Sequence, residues 1–284
     1  MDKHACRYQQ GVAAYFLPSQ ELAYHQDQEE YIEAKSSIVK YQHSNDFAVI
    51  NADYQNSLIL GKQSQGKKIY VSREKEVLPG CFVRGSNIVI SGTGFSLPIG
   101  GLQLRGAHNL ENICAATAAA YCAGADFDAI KTAAQKFKGL EHRLEFVADK
   151  GGVKLYNDSF STTPETAVAA IKAFTEPEVL ILGGSSKNSD FSGLAKVILA
   201  ATNIKALILI GQEANRISQA INDQGKFPGL IATSAKNMAQ IFTQIKSVAK
   251  KGDVVILSPA CASFDMFKSY VDRGEQFKRE ALEW

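Results

Sequence analysis

The sequence predicts an α/β protein. Its second half, residues 144–284, is expected to fold as a doubly wound, mainly parallel sheet. Its first half, residues 1–143, reads as the later part of a separate, incomplete domain. Three observations carry this. Apolar, β-branched runs at 153–156, 178–182, 205–210, 229–232 and 253–257 alternate with helical patterns at 164–174, 191–201, 212–223, 235–249 and 263–282. Those runs are apolar throughout, the mark of strands covered on both faces. The first half is punctuated differently, by short β-type segments broken at glycine, with no strand-rich unit ahead of residue 17.

In chain order, "DQEEYIEAKSSIVKYQ" carries Tyr31, Ile38 and Val39 among charges, and Asp27 with Glu30 makes a capping box for an amphipathic helix. "DFAVINAD" follows as a strand ending in a turn. "KKIYVS", "CFVRG" and "NIVISG", within 56–105, suggest an antiparallel excursion. "GAHNLENICAATAAAYCAGAD" is a helix of small residues that starts at a polar cap and packs closely. In the second half the strands end in "YNDSFSTT", "LGGSSKNSD", "GQEAN" and "LSPACAS". A Rossmann-like sheet of this kind binds ligands beyond the carboxyl ends of its strands. The first of these ends has two readings. Thr163 ahead of Pro164 is a helix cap, and the hydroxyl-rich run Asp158, Ser159, Ser161, Thr162 and Thr163 is also suited to an anion at a helix start.

Composition excludes several classes. The 284 residues are 45% hydrophobic and 21% charged with a net charge of +2, so no basic field argues for nucleic acid. "EVLILGG", "KALILIG" and "DVVILSPA" are strand-sized, not membrane-sized, and "MDKHACRYQQGVAAYF" lacks the apolar segment of a signal peptide. Cys6, Cys81, Cys114, Cys122 and Cys261 are scattered without a C-x-x-C pair, which points to neither zinc nor disulfides and fits a reducing cytoplasm.

"HNLENICAATAAA", "GLEHRLEFV", "YNDSFSTTPETAVAAI", "LILGGSSKNSDFS" and "LSPACASFDMFKSYVDRGEQF" resemble, in order and spacing, the Mur ligases. The likeness covers roughly residues 17–284, and the closing stretch is similar to the D-glutamate-adding branch of that family. The resemblance implies a partial central ATPase domain (1–143) and the C-terminal domain that brings the amino acid (144–284). The implied activity is ATP- and magnesium-dependent ligation of D-glutamate to UDP-N-acetylmuramoyl-L-alanine through an acyl phosphate. That is a cytoplasmic step toward the cell wall, and hence toward cell shape and division.

Residue by residue, Lys35 matches the family lysine that is carbamylated to help hold magnesium; a lysine on an amphipathic helix otherwise belongs to a solvated face. Asn109 and Asn112 match a pair near adenine, where an amide supplies donor and acceptor, though Asn109 also suits a helix cap. Arg143 matches an arginine on the ATP phosphates, with an ordinary interdomain salt bridge as its other reading. Asp158 matches an aspartate near the ribose, or starts an Asx turn. Thr162, Lys187, Ser263 and Phe264 match positions that hold the D-glutamate carboxylate, and Tyr270 an aromatic beside it. A surface lysine, an N-cap at Ser263 and core packing are their respective alternatives.

Three departures accompany the match. No G-x-x-x-x-G-K-[ST] phosphate loop occurs, and "GKQSQGKK" at 61–68 has the residue types in the wrong arrangement. Glu21 stands where the family usually carries a metal-binding histidine, and His25 matches a different position. Phe160 replaces the lysine of the family's N-D-S-K loop. The chain is therefore expected to need a separate source, such as a second chain, of the first domain and phosphate loop. The competing expectation is a non-catalytic module that keeps a nucleotide or amino-acid pocket.

Overall fold

A computed structural model describes residues 12–15 and 28–284. The chain divides after Phe137 into two compact units. The capping box expected at Asp27 lies outside the described residues.

In the first unit the described strands form one sheet in sequential order. They are β1 (Val12–Tyr15), β2 (Phe47–Asn51), β3 (Lys67–Ser72), β4 (Gly80–Arg84), β5 (Asn87–Ile90) and β6 (Ser96–Pro98). The helices are α1 (Gln28–Lys40), α2 (Gln55–Gln63), α3 (Ala107–Cys122) and α4 (Phe127–Lys136). Residues 56–105 are not simply antiparallel: β2 pairs with β3 and β3 with β4 in parallel, and only β4–β5–β6 run antiparallel. The parallel pairing requires a crossover, which α2 supplies between β2 and β3. Its sequence, "QNSLILGKQ", interrupts the helical pattern with a glycine and hides it. The strand β1, parallel to β2, also lies ahead of residue 17, where none was expected. One face of the sheet packs Val39, Ala48, Ile50 and Leu60 under α1 and α2. The other packs Val49, Val71, Ile88 and Leu97 against Ile113, Cys114 and Ala118 of α3.

The second unit contains β7 (Glu145–Lys150), β8 (Val153–Asn157), β9 (Glu178–Gly183), β10 (Ile204–Ile210), β11 (Leu230–Ala232) and β12 (Val254–Leu257), in the order β11-β10-β9-β12-β8-β7. All pairs are parallel except β7–β8. That hairpin turns at Gly151 and Gly152, whose φ values of 62° and 85° suit glycine. The helices are α5 (Pro164–Ile171), α6 (Ser192–Ala200), α7 (Ala214–Gln224), α8 (Met238–Val248) and α9 (Tyr270–Glu283). Both faces are covered: Leu180 and Leu182 enter the core with α5, α6 and α7, and Val179 and Ile181 enter the core with α8 and α9. The helix expected from residue 263 begins only at Tyr270, where Ser269 accepts the Asp272 N–H at 3.1 Å as its cap. Residues 263–268 form a turn instead, with Phe267 N–H donating to the Ser263 carbonyl at 2.9 Å.

Candidate functional site

The second unit gathers its polar loops at the carboxyl ends of β8, β9 and β12, three adjacent strands. Ser185, after β9, bridges Ala262, after β12: its N–H donates to the Ala262 carbonyl at 2.9 Å, and Phe264 N–H donates to Ser185 Oγ at 3.2 Å. The Lys187 and Ser263 loops therefore lie side by side. Lys187 is exposed in its loop, Ser263 is buried in its turn, and Phe264 is 74% exposed. Thr162 sits half-buried in the third loop, ahead of α5. That helix is capped as its sequence suggests, with Thr163 and Thr166 in a reciprocal box and Pro164 in the first turn.

Asp158 is 8% exposed and works inside the fold. Its Oδ1 accepts from Leu144 N–H at 3.1 Å and its Oδ2 from Ser258 Oγ at 2.8 Å. Burial pushes its carboxyl up to about 7, against the pull of those hydrogen bonds. The Asx turn belongs to its neighbour: Asn157 Oδ1 accepts the Ser159 N–H at 3.1 Å. Arg143 is exposed, and its guanidinium lies 4.3 Å from the ring centroid of Phe160. Phe160 meets Tyr270 edge to face at 5.1 Å, so guanidinium and two rings form one contiguous cluster. Tyr270 is 37% exposed, so it is not core.

The first unit holds the other candidates. Asn109 Nδ2 donates to the Arg105 carbonyl at 2.7 Å, which ties the loop before α3, and its Oδ1 accepts from Asn112 Nδ2 at 3.2 Å. The helix cap itself is Gly106, not Asn109. Asn112 is exposed. Lys35 lies half-buried on α1, which covers the opposite face of the sheet from α3. Glu21 and His25 lie outside the described residues.

Two further networks enclose charged side chains. In the first unit Glu111, between the two asparagines on α3, is 4% exposed and accepts from Arg73 Nε at 2.5 Å and from the Tyr54 hydroxyl at 3.0 Å. Arg73 N–H and Ser72 Oγ donate to Asp53 at 2.9 and 2.6 Å. In the second unit Arg273 is fully buried among backbone carbonyls. A charged residue in an amphipathic pattern reads as solvent-facing, so neither had a local signal. Among the described residues, Glu141, His142 and Glu275 stand close enough to share a cation. The Lys278 ammonium already bonds Glu141 at 2.5 Å and Glu275 at 3.0 Å, so the cluster does not fit a metal.

Residues 17–120 match the Mur ligase middle domain, and residues 142–261 match the Mur ligase, glutamate ligase domain. The chain is 39% identical over 255 residues to a UDP-N-acetylmuramoylalanine–D-glutamate ligase of Pelotomaculum thermopropionicum, covering 89% of this chain and 55% of the relative. It is 36% identical over 267 residues to the enzyme of the same name from Clostridium novyi, covering 92% and 57%. The chain thus spans little more than half the length of these relatives. Among solved structures, MurF from Acinetobacter baumannii aligns with a TM-score of 0.70 at 15% identity, over 96% of this chain and 60% of that one. A UDP-N-acetylmuramoyl-L-alanyl-D-glutamate–2,6-diaminopimelate ligase aligns with a TM-score of 0.59 at 18% identity, over 95% and 61%. At that identity the likeness speaks for the fold.

Proposed function

The chain belongs to the Mur ligase family, and from that premise we propose that it is the amino-acid-bringing part of a ligase that joins D-glutamate to UDP-N-acetylmuramoyl-L-alanine in peptidoglycan synthesis. The observation that carries the reading is the meeting of the Lys187 and Ser263 loops at the Ser185–Ala262 bridge. An exposed lysine on one loop and a hydroxyl on the loop beside it suit a carboxylate. Thr162 from the neighbouring loop and the exposed edges of Phe264 and Tyr270 complete the proposed pocket. Phe160 takes the place of a lysine, and the Arg143 guanidinium stacked on its ring keeps a cation there.

For the nucleotide, Asn112 retains its amide oxygen and a free N–H on an exposed surface, and Arg143 is exposed over the Phe160 ring. Taken separately, the Asn112 amide suits an adenine edge and the Arg143 guanidinium a phosphate, and Asp158 acts as the strut under the Arg143 loop through Leu144 N–H. In the family ATP supplies the phosphoryl group that activates the precursor carboxylate. Lys35 is the residue that would help hold magnesium once carbamylated. These 284 residues contain no phosphate loop, so turnover requires that loop, and the UDP-sugar site, from outside this sequence, with a separate chain as one source. Substrates of this kind place the reaction in the cytoplasm.

The test is a pair of measurements on the 284-residue protein. Lys187→Ala should weaken D-glutamate binding about tenfold or more, since hydrogen bonds to charged groups contribute roughly 1.5–3 kcal/mol. No amide should form from ATP, magnesium and both substrates until a chain carrying the missing loop is added. Unchanged D-glutamate binding in Lys187→Ala would remove the pocket. Turnover by the lone chain would remove the need for the outside loop.

A further inference from the structure

Arg273, on the first turn of α9, has no exposed surface. Its Nε donates to Ser159 Oγ at 2.9 Å, its Nη2 to the carbonyls of Ser159 at 2.9 Å and Cys261 at 3.1 Å, and its Nη1 to the carbonyl of Ala262 at 3.3 Å. Ser159 Oγ in turn donates to the Tyr270 carbonyl at 2.7 Å. One guanidinium therefore joins the loop after β8, the loop after β12 and the start of α9. The end of β9 is fitted around the same group: a Cβ at Gly184 would collide with the Ala262 carbonyl and press on Nη1.

Every direct acceptor is neutral; the Asp265 and Asp158 carboxyls favour the charge from nearby, but neither bonds the guanidinium. An apolar side chain of similar size would fill the space without that desolvation cost. What it could not do is fix four donor directions at once, which the planar guanidinium does and an ammonium does not. The loops it fixes are those that carry Thr162 and Ser263, and the bridge at Ala262 passes the restraint on to Ser185, two residues from Lys187.

We propose that Arg273 is the positioning residue of the amino-acid pocket, holding the β8 and β12 loops at the separation that carboxylate binding requires. The inference rests on the pocket proposed above. Arg273 touches no substrate and acts through the loops it ties.

Two variants of the 284-residue protein test it, Arg273→Lys and the milder Ser159→Ala. D-glutamate affinity is measured by calorimetry and loop order by amide hydrogen exchange, with thermal unfolding alongside. Arg273→Lys should weaken D-glutamate about tenfold and speed exchange at 159–162 and 260–264, while the amides of β10 and α8 stay protected. Ser159→Ala, which loses one side-chain link, should do both by about threefold, and it carries the test if the lysine variant does not fold. Affinity within about twofold of wild type with unchanged loop exchange would overturn the proposal, whatever happens to the melting temperature. If the wild-type protein binds no D-glutamate, the pocket reading fails. The exchange data then decide the positioning role alone: released loops support it and unchanged loops end it.

Discussion

Glu111 in the first unit and Glu178 in the second are both buried carboxyls, 4% and 0% exposed, and their surroundings are opposite. Glu111 has both oxygens engaged, one by Arg73 and one by the Tyr54 hydroxyl. Glu178 opens the central strand β9, shares a face with Leu180 and Leu182, and has no partner for either oxygen. Around the first, a cation and a hydroxyl donor replace water. The second can stay buried only by keeping its proton, and burial pushes its pKa up to about 8. The difference shows that burial alone says little about a charged residue. What matters is whether the fold brings it a partner. Glu111 stands on the helix that carries Asn109 and Asn112, where the paired carboxylate stiffens a proposed binding surface. Glu178 stands at the amino end of its strand, away from the loops that bear the pocket.

The largest expected effect follows from the unpartnered member. In the unfolded chain Glu178 ionises near 4.5, and in the folded protein near 8. Native structure is therefore favoured below about pH 4.5, and that advantage is lost progressively as pH rises toward 8. Glu178→Gln keeps the shape and removes the titration. The variant should gain on wild type by roughly 1.4 kcal/mol per pH unit across that window, a few kcal/mol in all. Chemical denaturation at pH 5 and pH 8 measures it. An identical wild-type advantage at both values would mean that Glu178 finds a partner in solution.

The two units also differ in how much of them could be read ahead of the structure. Most strands of the second unit were legible because each is a short, mainly apolar run, and little else than a covered parallel strand looks that way. Strand β7 was missed although Gly151–Gly152 between β-rich segments is a hairpin signal. The start of α9 was misplaced because "SFDMFKSY" has helical spacing, while Ser185 and Arg273 hold the backbone around it in a turn. In the first unit, α2 and the parallel pairing it permits escaped a reading built on turn residues. Candidate site residues were legible by type, since hydroxyls and a lysine at strand ends are unusual. Arg273, Glu111 and Glu178 were not, because only topology reveals which charges are enclosed.

A smaller effect is expected on breaking the paired carboxyl. Glu111→Gln leaves Arg73 and Tyr54 facing an amide that cannot accept from both as a carboxylate does. Removing one partner of a fully buried pair commonly costs about 3–5 kcal/mol. Arg73 is 34% exposed, so water recovers part of that loss, and roughly 2 kcal/mol is expected. The loss should fall on the first unit, read as faster exchange at amides in α3 while those of β9 and β10 keep their protection. Loss spread over both units would contradict a network confined to the first.

The smallest effect isolates one bond. Tyr54→Phe removes the hydroxyl that donates to Glu111 and leaves the Arg73 contact in place. A single such bond contributes about 1 kcal/mol, and the ring is 38% exposed, so the destabilisation at pH 7 should stay near or below that figure. The pH dependence is the sharper readout. Burial, followed by the Glu111 charge, pushes the Tyr54 phenol up to about 12 from its ordinary value near 10. The folded state thus holds this proton where the unfolded chain has released it. Wild-type stability should fall as pH rises from about 10 to 12, and Tyr54→Phe should lack that part of the fall. The wild-type advantage at pH 7 should therefore shrink above pH 10 and vanish or reverse near 12. Equal alkaline slopes in the two proteins would mean that neither burial nor Glu111 holds the phenol proton. The carboxylate's pairing would then rest on Arg73 alone, and the contrast with Glu178 would come down to a single ion pair.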